Sequence, residues 1–144
     1  MTASWSTRST QQRHRRMARY LAAAASAATA LLYFGIGAGV LKVVDEVAAD
    51  QPGLVEFGAS AGAAFALGAL LLVAADHRGL WLLGALLQVG VLVMYVVVSP
   101  QRTPAFETWG ILIKVLQAVI LAALAYLVAR PPERRIPQAW RPSR

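Results

Sequence analysis

Residues 79–99 read GLWLLGALLQVGVLVMYVVVS, an apolar run with no charged side chain from Gly79 to Ser99. A helix that crosses the hydrocarbon core of a bilayer needs about 20 such residues, because the core is roughly 30 Å thick and each residue rises about 1.5 Å. Just upstream, Asp76-His77-Arg78-Gly79 is a short polar hairpin, and before it Phe57 to Ala75 is again free of charge. Farther out, Tyr20 to Val44 carries only Lys42, and Phe106 to Ala129 carries only Glu107 and Lys114. Four runs of this length cannot all be buried inside a soluble domain of 144 residues. The expected fold is all-α: an integral membrane four-helix bundle of up-down-up-down topology, with spans at 20–44, 57–75, 79–99 and 106–129.

Composition agrees with this reading. Apolar residues make up 58% of the chain and charged ones 15%, against about half and a quarter in soluble domains. The connections carry helix breakers: Gln51-Pro52-Gly53, Ser99-Pro100, Thr103-Pro104 and Pro131-Pro132. Connections this short are expected to make consecutive helices antiparallel neighbours. Residues 17–130 form the transmembrane domain. Residues 1–16, rich in Ser, Thr, Gln and Arg, are expected to be a disordered basic segment. Residues 131–144 are a basic, Pro-rich tail.

The net charge of +7 is placed, not scattered. Arg8, Arg13, Arg15, Arg16 and Arg19 precede the first run, and Arg130, Arg134, Arg135, Arg141 and Arg144 follow the last. Basic residues flanking spans orient them and touch anionic headgroups. With both termini cytoplasmic, Arg78 also falls inside, while Asp45, Glu46, Asp50, Glu56 and Glu107 fall outside with Lys42 and Arg102. Tyr20, Trp81 and Tyr126 are then expected in an inner aromatic belt, and Tyr95 and Trp109 towards the outer one. A nucleic-acid partner is not expected, since no basic surface interleaved with aromatics accompanies the charge. A cleaved or twin-arginine signal fits less well: the first run is longer than a signal core, and Met17-Ala18-Arg19 after Arg15-Arg16 departs from the pattern. Heavy use of Ala, Val, Leu, Gly and Arg suggests a GC-rich bacterial genome, and so a bacterial inner membrane.

There is no cysteine, which excludes disulfides, thiol redox chemistry and Cys-ligated metals. Both histidines, His14 and His77, lie outside the spans. No metal, cofactor or catalytic residue is assigned. Asp45 and Glu46, near Asp50 and Glu56, suggest a solvated acidic loop before a cation site, which needs more convergent ligands. Asp76-His77-Arg78 has hydrolase-like residue types, but three consecutive residues cannot converge as a catalytic triad.

Small residues four apart let helices approach closely in lipid. Gly35 and Gly39 on the first span, and Gly58 and Gly62 on the second, are the expected packing positions. On the fourth, Glu107, Gly110, Lys114, Gln117 and Leu121 share one face. On the third, Gly84, Gln88, Val91 and Tyr95 do the same. Gln88 and Gln117 then meet near the midplane, placed for an amide hydrogen bond between helices, with Lys114 about 5 Å to the outer side. An ammonium at that depth costs about 3 kcal/mol or more unless paired or hydrated. Two readings stay open. Lys114 lines an outward-opening polar cavity with Gln88, Tyr95 and Gln117, rimmed by Lys42, Asp45, Glu46, Glu56 and Glu107. Alternatively, it snorkels to pair with Glu107 or Glu56.

The acidic first outer loop (Asp45-Glu46, then Glu56), the exit Ser99-Pro100-Gln101-Arg102-Thr103-Pro104 and the polar fourth helix at Lys114 and Gln117 resemble small four-span actinobacterial membrane proteins of unassigned function. More distantly the chain is similar to the DoxX-like four-helix membrane proteins, some of which are associated with quinone or redox partners. No DoxX residue maps onto this chain, so no role is carried over. The function expected is a non-catalytic membrane component: an accessory or assembly subunit, or a small-ligand-binding bundle, in a homo-oligomer or larger complex. The alternatives are an oligomeric transporter or channel using Lys114, and a quinone- or lipid-linked redox enzyme.

Overall fold

The structure, a computed structural model, describes residues 3–41, 54–98 and 108–130, and all regular structure among them is helical. Four helices follow in order: α1 (Ala3–Gly37), α2 (Leu54–Ala74), α3 (Arg78–Val98) and α4 (Thr108–Ala129). Each contains a stretch long and apolar enough to cross a membrane: Thr10–Gly37, Val55–Ala74, Arg78–Val97 and Thr108–Ala129. The Val-rich second half of α3 would favour a strand on propensity alone. A helix satisfies every backbone donor and acceptor of such a run within the run itself.

Helix α1 corrects two expectations. It begins at Ala3, within the segment expected to be disordered, and its 35 residues extend roughly 52 Å. Nucleation is the costly step of helix formation, so a helix formed at Ala22–Ala30 propagates backwards through any sequence without a breaker. Residues 3–19 contain neither Gly nor Pro, and Gln and Arg are good helix formers. At the other end α1 stops at Gly37, seven residues before the expected Val44. Gly39 adopts a positive φ of 71°. Its N–H donates to Ile36 O at 3.0 Å, and Val40 N–H donates to Gly35 O at 2.9 Å. These two bonds form a Schellman cap, which needs the left-handed residue that glycine supplies without strain. The end of the expected span, with Lys42, lies outside the described residues.

The packing order is α2–α1–α4–α3, each neighbouring pair antiparallel, and α2 and α3 have no extended contact despite the three-residue link between them. Helix α1 occupies the centre because it carries small side chains where the others press on it. At the end carrying Arg15, Ala22, Ala23 and Ala25 meet Leu72 of α2, Trp81 of α3 and Ile120, Leu124 and Leu127 of α4. At the opposite end, Tyr33 and Ile36 meet Ile113 of α4, with Phe65 of α2 packed against both clusters.

The α1–α2 seam uses the expected glycines on α2, Gly58 and Gly62, but a different one on α1. A Cβ on Gly58 would lie 2.6 Å from Gly37 Cα and 2.8 Å from Tyr33 O, so here the two backbones touch. Gly62 leaves room for the Phe34 ring, which a Cβ would meet at 2.7 Å. Gly35 faces only Leu41 of the turn that follows α1, and Gly39 belongs to the cap. The α1 partner of Gly58 is Gly37.

The link between α2 and α3 is pinned to α1. Arg15 Nη2 donates to Asp76 Oδ1 at 2.8 Å, Arg19 Nη1 lies 3.7 Å from Asp76 Oδ2, and Arg19 also donates to the Val73 carbonyl. The Arg15 guanidinium stacks 4.9 Å over the Trp81 ring. Trp81 is therefore a core residue, only 1% exposed, and not the belt residue expected from its position near a span end. Tyr20 is exposed, and Tyr126 is half-buried beneath Arg130.

Candidate functional site

The antiparallel contact between α3 and α4 is fixed at two levels. Gly84 faces Leu124, and Tyr95 places its hydroxyl 3.1 Å from where a Gly110 Cβ would stand. Gln88 lies between these levels and is brought to the depth of Gln117, as the spacing predicts. The face of α3 turned inwards runs through Trp81, Gly84, Gln88, Leu92 and Tyr95, with Val91 exposed beside it. Helix α1 closes the third side of the cluster through Tyr33.

Gln117 is fully buried and Gln88 is 6% exposed. Lys114 Nζ donates to Gln117 Oε1 at 2.6 Å along α4, and the ammonium lies 4.6 Å from the centroid of the Tyr95 ring. Two groups thus reach the cation: a carbonyl oxygen that accepts one proton and an aromatic face that attracts the charge. The Tyr33 hydroxyl is turned to the Gln117 amide. The Tyr33 ring is held by Phe57 edge-on at 5.8 Å and by Phe65 stacked at 5.6 Å.

The amide bond expected between Gln88 and Gln117 does not form. Gln88 Nε2 and Gln117 Nε2 are both buried without a hydrogen-bond partner. Gln117 Oε1 instead accepts from Lys114, three residues earlier on the same helix. By contrast, the buried hydroxyl of Thr29 on α1 donates to Ala25 O at 2.9 Å and is satisfied within its own helix.

Of the rim residues, Glu56 is exposed in the first turn of α2 and forms no ion pair with Lys114. Lys42, Asp45, Glu46 and Glu107 lie outside the described residues. No group of three or more His, Cys, Asp or Glu side chains that could hold a metal occurs among the described residues.

Tyr33 is the member of the cluster that sequence reasoning did not single out. The signal for it is weak, since a lone tyrosine in an apolar helix reads as packing until the α1–α4 register is known. What the cluster offers chemically is the ammonium and amide N–H donors of Lys114 and Gln117 on α4, with the buried Gln88 amide in the same seam on α3 and two aromatic hydroxyls at its edges. Compared with known proteins, the chain matches no protein-family model, no curated protein and no solved structure.

Proposed function

We infer that the chain is a four-span integral membrane protein of a bacterial inner membrane, an up-down-up-down bundle with both termini in the cytoplasm. We also infer that it serves as a non-catalytic subunit. Its helix packing is completed by a second copy of itself or by a membrane partner. The ten arginines that flank the four apolar runs support the orientation. Contact with anionic headgroups belongs to the same reading.

The observation that carries the subunit reading is the open packing order. In a closed four-helix bundle every helix has two neighbours. Here, among the described residues, α2 packs along its length on α1 alone and α3 on α4 alone, and no extended contact between α2 and α3 closes the ring. Leu82, Leu83, Leu86, Leu87 and Met94 of α3 are exposed, as are Leu67 and Leu70 of α2. Lipid can cover apolar side chains, so exposure alone decides nothing. Two glycines add to the argument: a Cβ on Gly68 of α2 or Gly90 of α3 would meet no atom within 4 Å. Glycine inside a helix costs about 1 kcal/mol relative to alanine, and in membranes it is used where another helix comes close. Among the described residues no other helix comes close to either.

Purification of the full chain in mild detergent, with mass from light scattering, tests the reading. A multiple of the 15.4 kDa protomer, or a stoichiometric complex, is expected. Gly68→Leu or Gly90→Leu should then lower the assembled fraction. A monodisperse monomer with no companion protein contradicts it.

A further inference from the structure

The donors around Lys114 outnumber the acceptors. Lys114 has three N–H bonds and uses one on Gln117 Oε1. The amide nitrogens of Gln88 and Gln117 add four more N–H bonds, and neither nitrogen has a partner. Among the described residues no carboxylate lies within 4 Å of the ammonium. Buried donors without acceptors cost about 1–3 kcal/mol each and are rare in folded proteins. Two of them in the α3–α4 seam, beside a cation with no carboxylate partner among the described residues, mark a place for an acceptor.

The chemistry of that missing group follows from what surrounds it. A cation is repelled by Lys114. A neutral carbonyl would satisfy an amide but leave the ammonium charge uncompensated in a medium where charge is expensive. A single negative charge with several lone pairs answers both needs. It must also be small at the point of contact, because both glutamines are more than nine-tenths buried.

We propose that Gln88, Lys114 and Gln117 form a binding site for one monovalent anion between α3 and α4, bordered by Tyr33 and Tyr95. The anion is a free halide or the carboxylate end of an amphiphile lying between the helices. The proposal rests on the membrane-spanning reading, since it is hydrocarbon that makes a lone ammonium costly.

The test uses the full chain in nanodiscs of zwitterionic lipid, with thermal unfolding as readout. Sodium bromide is titrated against sodium gluconate at constant ionic strength, and oleate is titrated separately in halide-free buffer. A saturable rise of several degrees is expected with one of the two, and which one responds identifies the source. Lys114→Met abolishes the rise. Gln88→Leu, which removes a buried donor with no partner and so keeps the fold, weakens the apparent affinity about tenfold or more. The wild-type response persists in Glu107→Gln.

No rise with either anion overturns the proposal, as does a wild-type response in both Lys114→Met and Gln88→Leu. A rise seen only in Glu107→Gln also overturns it, since that carboxylate would then be the counter-ion. If only this site is wrong, the protein still behaves as a four-span membrane protein in labelling experiments. If the spans are wrong, the labelling fails whatever the anions do.

Discussion

Lys114 donates to Gln117 Oε1 at 2.6 Å one turn along the same helix, and the nitrogen of that same amide is buried without a hydrogen-bond partner. A contact within α4 is thus found where the α3–α4 spacing predicts one between helices. The side chain that brings a charge among the helices therefore lies beside an unsatisfied donor.

Lys114→Met should fold. The substitution removes a bilayer cost of roughly 2.5–3.5 kcal/mol and gives up one charge-assisted hydrogen bond worth roughly 1.5–3 kcal/mol. Net stability should stay within about 1 kcal/mol of wild type, measured as the unfolding midpoint in detergent followed by circular dichroism. A variant that fails to accumulate as helical protein would mean that Lys114 is a structural partner the fold depends on.

The α1–α2 seam predicts a contrast between two glycines. Gly58→Ala puts a methyl group 2.6 Å from Gly37 Cα, where only backbone can give way, and should destabilise by roughly 1–3 kcal/mol. Gly35→Ala meets the end of the Leu41 side chain, which can move, and should be close to neutral or slightly stabilising through helix propensity. Equal effects at the two positions would show that the pair Gly58–Gly37 does not carry the contact.

At the opposite end, Asp76 holds Arg15 and Arg19 to the α2–α3 link. Asp76 is 44% exposed at its side chain, so Asp76→Asn should cost only about 0.2–1 kcal/mol. The loss should shrink further as salt rises from 0.05 to about 0.5 M, since exposed ion pairs are screened. A large loss that salt does not change would instead place the stabilisation in the stacking of Arg15 on Trp81.

Much of this architecture is legible in the sequence, and the limits have physical causes. The four apolar runs declare themselves, because a stretch such as Gly79 to Ser99 has no polar face to turn to water. The helical period likewise brings Gln88 to the level of Gln117 and Tyr95 to Lys114. What the sequence hides is what depends on neighbours. Four-residue glycine spacing shows that backbones can approach but not where a helix ends, so Gly35 and Gly39 read as packing positions while Gly37 does the work. A short link between α2 and α3 shows only that their ends meet, not that their lengths pack. Trp81 sits where belt tryptophans sit, and only its contact with Ala22 and Leu127 reveals it as core. Residues 3–16 have no apolar period, so nothing local announces that the helix behind them continues through.

Four helices that cross a membrane with both ends on the cytoplasmic side fix which loops face out, and the absence of cysteine makes single-cysteine reporters free of background. Gln11→Cys, Asp50→Cys and His77→Cys, each introduced singly and expressed in intact cells, are exposed to a membrane-impermeant maleimide. Asp50→Cys should be modified from outside, and Gln11→Cys and His77→Cys should react only after the membrane is opened. Modification of Gln11→Cys or His77→Cys in sealed cells, or protection of Asp50→Cys there, would contradict it.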